Sequence, residues 1–68
     1  MRTGDLVRAP GNIGGVIREF VPAGSLGRVV AAGWLSGVRV RFSVHTWFGD
    51  REVEIDVYPG EVEVVSPG

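Results

Sequence analysis

Val38-Arg39-Val40-Arg41-Phe42-Ser43-Val44 decides the fold. Every second residue is apolar, and the residues between are cationic or hydroxylic. Strand side chains point to opposite faces in turn, so this run has one oily face and one wet face. A second run, Glu52-Val53-Glu54-Ile55-Asp56-Val57-Tyr58, has the same period with acids at the wet positions. Between the runs lies Gly49-Asp50, the expected hairpin turn. Paired in that register, Arg39 and Arg41 face Glu52, Glu54 and Asp56 as cross-strand ion pairs, while the valines face a common core.

Outward from this hairpin, turn residues punctuate the chain. Leu6-Val7-Arg8 reads as a short first strand, broken by Ala9-Pro10-Gly11-Asn12, because proline removes a ladder donor. Residues 13–21 stay open between a long excursion folded back on itself, a weak strand and a one-turn helix over Val16–Phe20. Gly14, Gly15 and Pro22 leave little room for the helix. Gly24-Ser25 then turns into a strand through Ala32 that ends at Gly33. Pro59-Gly60-Glu61 reads as a single 3₁₀ turn, Val62–Val65 as a closing strand, and residues 66–68 as a frayed tail. The total is five short strands, an all-β domain spanning residues 1–68, curled into a small, partly open barrel.

Composition bounds the rest. With 68 residues and no cysteine, neither a disulfide nor a thiolate metal site can staple the fold. A chain of this size buries only about 60% of its unfolded surface, so the core or an oligomer interface must hold it. All seven cations are arginine, as a G+C-rich bacterial source would give. The net charge of −1 argues against a strong non-specific nucleic-acid binder. No secretory leader or membrane-length apolar run is legible, so the expected location is the cytoplasm.

Three short signals, in order, resemble the SH3-like barrels, and among them the KOW-type modules. They are Gly4-Asp5-Leu6-Val7-Arg8, Pro22-Ala23-Gly24-Ser25-Leu26-Gly27-Arg28-Val29-Val30, and Tyr58-Pro59-Gly60-Glu61-Val62-Glu63-Val64-Val65. The resemblance implies a five-stranded SH3-like barrel with a long loop after strand 1. It does not settle a role, because this fold serves several: contacts to RNA or transcription machinery, peptide binding, docking in photosynthetic complexes, and the small tetrameric dihydrofolate reductases. Ile55-Asp56-Val57-Tyr58-Pro59 is similar to the reductases' Val-Gln-Ile-Tyr segment at Tyr58. Asp56 stands where that family has glutamine. A carboxylate cannot donate the amide hydrogen bond, and four would repel around a shared pore.

The candidate site residues are therefore the aromatics and their arginine neighbours. Trp34 lies in a glycine-flanked loop, and Trp47 and Phe48 crowd the hairpin end. Trp47 and Phe48 either close the barrel end, fold over residues 13–21, anchor a protein contact, or stack on nucleobases. Arg39 and Arg41 would form the polar rim of a contact. With Arg28 they would form the stripe that a nucleic-acid-binding module needs. His45 has no nucleophile or orienting partner placed by the sequence, and with Asp50, Glu52 or Glu54 it shows no metal-ligand spacing. The glycines at 11, 14 and 15 lack the lysine and the strand–loop–helix context of a phosphate cradle. No catalytic residue, metal or cofactor is expected. The expected function is a non-catalytic protein-interaction or accessory module, with self-association one form of it. A KOW-like nucleic-acid- or ribosome-associated module is the alternative, and a small reductase the weakest.

Overall fold

A computed structural model of the protein describes residues 1–32 and 37–68. Five strands form one antiparallel sheet: β1 (Leu6–Arg8), β2 (Leu26–Ala32), β3 (Val38–Thr46), β4 (Gly49–Val57) and β5 (Glu63–Ser66). A 3₁₀ turn, Pro59–Glu61, precedes β5 as its proline and glycine foretell. The strand order is β4-β3-β2-β1-β5. β4 and β5 are the two edges, so the sheet is not closed into a barrel; of the partly open barrel expected, the all-β, five-stranded part holds.

Alternation sets the two faces. Along β3 the pattern is buried at Val38, Val40, Phe42 and Val44 and exposed at Arg39, Arg41 and Ser43. β4 answers with Val53, Ile55 and Val57 inside. Register locks this arrangement, with Val40 opposite Ile55, Phe42 opposite Val53 and Val38 opposite Val57. A slip of one residue would turn every valine to water. A flat sheet would still leave its oily face wet. Two devices cover it here. Register shifts between Val29 and Ala31 of β2 and between Leu6 and Val7 of β1 mark bulges, which bend and twist a sheet. The long β1–β2 connection also contributes Ala9, Ile13 and Val21 to the core, and Val62 enters from the other end.

That connection is the excursion folded back on itself. Ile13 and Val21 exchange both backbone hydrogen bonds, at 2.9 and 2.8 Å. A tight turn closes the tip, where Gly15 N–H donates to the Arg18 carbonyl. Gly14 and Gly15 both hold positive φ there, which glycine alone adopts at little cost. No helix forms over Val16–Phe20.

Gly27 has a different task. It sits in β2 between Val7 and Phe42, where an added Cβ would lie 2.7 Å from Val40 Cγ1 and 2.9 Å from Phe42 Cδ1. The missing side chain is the space that the Phe42 ring fills.

The chain ends meet around Asp5, a buried carboxylate. Its oxygens accept the Arg2 N–H at 2.9 Å and the Gly68 N–H at 3.0 Å, and these two backbone donors hold its pKa below the usual value. Ser66 therefore belongs to β5, and Gly68 is tied to the start of β1, where the sequence suggests a loose tail.

Candidate functional site

The β3–β4 hairpin runs past the core. Val44 is the last buried residue of β3. Beyond it come the pairs His45–Asp50 and Thr46–Gly49, then the turn residues Trp47 and Phe48. At about 3.3 Å per residue, the turn lies roughly 10 Å beyond Val44. This moves the turn from its expected place at Gly49-Asp50. Among the described residues no non-glycine residue has positive φ, whereas Gly49 has φ 111°. Trp47-Phe48 thus cannot be one of the primed two-residue turns, which need positive φ at their first position. The left-handed glycine follows the turn as the first residue of β4, and the β3–β4 register runs unshifted up to the Thr46–Gly49 pair. Thr46 pins the loop: its hydroxyl donates to the Gly49 carbonyl at 2.6 Å and accepts the Phe48 N–H at 3.2 Å.

This geometry leaves Trp47 100% and Phe48 101% exposed. Neither ring closes an end of the sheet or folds over residues 13–21, so two of the roles open to them in the sequence do not hold within the chain. Trp34 lies outside the described residues. The rings help to line a groove of about 590 Å³ together with Phe20, Pro22, Val44 and Thr46. Phe20 is half-exposed, and nothing in the sequence singles it out beyond its apolar character.

The polar side chains around the groove have partners. The His45 imidazole Nδ1 meets the Asp50 carboxylate across the hairpin. The Arg51 guanidinium reaches Glu19 on the long loop at 3.1 Å. The loop therefore lies along the β4 edge, with Glu19 toward the tip and Arg18 toward the far end, where Arg18 donates to the Asp56 carbonyl at 3.2 Å.

Arg18 also makes the strongest ion pair in this region. Its two terminal nitrogens donate to the two Glu61 oxygens at 2.7 and 2.8 Å, the bidentate geometry that a planar guanidinium favours. Glu61 Oε1 accepts the Tyr58 N–H at 3.0 Å as well. Together, first the guanidinium and then the amide hold the Glu61 carboxyl at a pKa of about 2. The same contact raises the Arg18 pKa. This staple fastens the long loop to the 3₁₀ turn, and the sequence gives no local sign of it.

The outer face of the sheet carries the arginines of interest. Arg39 donates to Glu54 at 2.7 Å and to Asp56 at 3.0 Å. Arg41 donates to Glu54 at 3.1 Å and lies 3.6 Å from Glu52. Glu54, held by both guanidinium groups, has its pKa lowered, and Arg39 has its pKa raised by Glu54 and then Asp56. Arg28 stands beside Arg41 in the register and donates to the Gly4 carbonyl at 3.0 Å. The three arginines do line one face, but the acids of β4 stand opposite two of them. Among the described residues no group of three or more His, Cys, Asp or Glu side chains is placed to hold a metal ion. No helix among them is long and apolar enough to cross a membrane.

Comparison with protein-family profiles, with curated proteins and with solved structures found no match to this chain.

Proposed function

We propose that this protein is a non-catalytic interaction or accessory module of the SH3-like kind, and that the Trp47-Phe48 hairpin tip is its contact surface. The strand order, the long loop after β1 and the 3₁₀ turn before β5 support the SH3-like assignment. What carries the functional reading is the complete exposure of two adjacent aromatic rings beside an apolar groove. Burying two such side chains is worth about 3–6 kcal/mol. A small domain whose whole stability is of the order of 5–15 kcal/mol leaves that unused within its own chain. Exposed aromatics at the centre of an apolar patch are the usual anchors of protein contacts, and Trp is prominent among them.

A KOW-like nucleic-acid role would rest on Arg28, Arg39 and Arg41. The carboxylates of Glu52, Glu54 and Asp56 offset two of those charges, and counterion release is the main source of such binding. The reductase reading would need Asp56 at its ligand site, and that carboxylate is engaged by Arg39. Protein contact is the better supported reading of the three.

The test is photo-crosslinking from position 48, with a benzophenone amino acid replacing Phe48 in the chain expressed in cells. A discrete protein adduct, a second copy included, that disappears with Trp47→Ser is the expected result. Adducts to nucleic acid or lipid alone, or none, would overturn the reading.

A further inference from the structure

The shape of the same surface says what kind of partner it fits. We infer that the occupant of the groove is the hairpin tip of a second copy of this chain, in a two-fold dimer where each copy's Trp47-Phe48 lies in the other's groove. This rests on the contact reading above and goes further by naming the partner.

Three observations point to a copy rather than to an unrelated chain. The first is adjacency. The projecting tip and the hollow are one continuous surface, since Trp47 and Phe48 line the groove together with Phe20, Pro22 and Val44. A two-fold interface uses the same patch twice, so it needs a projection and its complement side by side. A two-fold axis beside the hairpin brings each tip over the opposite groove.

The second is charge. The Arg51 guanidinium beside the groove is paired with Glu19, and the Asp50 carboxylate is hydrogen-bonded to the His45 ring. A patch that carries both signs, each group with a polar partner beside it, meets its own copy with little repulsion. It offers no field of one sign to a strongly acidic or basic partner, and no basic collar to an anionic lipid surface.

The third is area. Two aromatic side chains that are fully exposed can bury about 300–500 Å² per copy. The groove that they cover adds a smaller area on the facing copy. Counted over both copies, the contact reaches the roughly 1,000 Å² that a specific interface requires. That size fits a weak dimer, and the chain has no cysteine to stiffen it by other means.

Sedimentation equilibrium of the whole chain from about 5 µM to about 1 mM spans the micromolar dissociation constants expected of such a contact. Wild type is expected to move from the 7.3 kDa chain mass toward twice that value. Trp47→Ser, Phe48→Ser and Phe20→Ser should each weaken the dimer about tenfold or more. Circular dichroism of the same samples confirms that the sheet remains. Wild type that stays at the chain mass throughout overturns the inference. A discrete adduct from position 48 to a different protein would then leave the contact reading standing, and no adduct would remove both. A dimer that survives all three substitutions also overturns it, and places the contact elsewhere, with the free edge of β5 the first place to look. A monomer that co-sediments with phosphatidylcholine vesicles only when Trp47 is present overturns it in favour of a lipid surface.

Discussion

Acid should loosen this protein through one carboxylate more than through the others. Glu61 has a folded pKa of about 2 against a usual 4.5. A group whose pKa is lowered on folding stabilises the protein above its unfolded pKa. That contribution is lost as pH falls toward the folded value. The window is therefore pH 4.5 down to about 2. At about 1.4 kcal/mol per pH unit the shift corresponds to roughly 3 kcal/mol as an upper bound. The Arg18 and Glu61 side chains are 34% and 29% exposed, so solvent screening and the cost of ordering two side chains reduce this to about 1–2 kcal/mol. The assay is urea unfolding of wild type and Glu61→Gln at pH 7 and at pH 2.5, in low salt. Asp5 and Glu54 titrate below their usual values in both proteins, so the difference between the two isolates Glu61. Wild type should exceed the variant by about 1–2 kcal/mol at pH 7, and the gap should narrow to a few tenths at pH 2.5. A gap that is absent at pH 7, or equally wide at both pH values, refutes the staple.

Other predictions concern the core and the outer face. Gly27→Ala drives a methyl into Val40 and Phe42 and should cost about 1–3 kcal/mol in urea unfolding; a neutral result would mean that β2 and β3 are not paired in this register. Phe42→Ala empties the largest fully buried side chain and should cost about 3–5 kcal/mol, enough to unfold much of the population at 37 °C. Neutralising the β4 acids together (Glu52→Gln, Glu54→Gln, Asp56→Asn) should free Arg39 and Arg41 to bind single-stranded RNA in a salt-sensitive way that wild type does not show. Equal RNA binding by wild type and this variant, read by fluorescence anisotropy at about 50 mM salt, would mean that the ion pairs do not neutralise that face.

The elements that the sequence made legible are those with a local period. Residues 38–44 and 52–57 alternate strictly, and one oily face per strand leaves a single workable register. From that register the pairing of Arg39 and Arg41 with the β4 acids follows. Pro59-Gly60-Glu61 was legible for the same local reason. The turn was not, because Gly49 supplies its positive φ after the turn rather than within it, which leaves two aromatics at a position usually given to polar residues. Gly27 looks like one more corner glycine, and only the Phe42 ring against it reveals its role in packing. The Arg18–Glu61 and Glu19–Arg51 pairs join positions 43 and 32 apart, and no local pattern encodes such a closure. Trp47 and Phe48 were identifiable as candidates, but their exposure depends on how far the hairpin overshoots the core, which only the packed structure reveals.

Rings that serve contact, and not the fold of their own chain, can be removed without loss of stability. The unfolding free energy of the W47S/F48S double variant, measured in urea at a few micromolar, tests it most directly. Rings that are bare in the monomer predict a value within about 0.5 kcal/mol of wild type. A loss above about 3 kcal/mol would place the rings in the core and contradict the account.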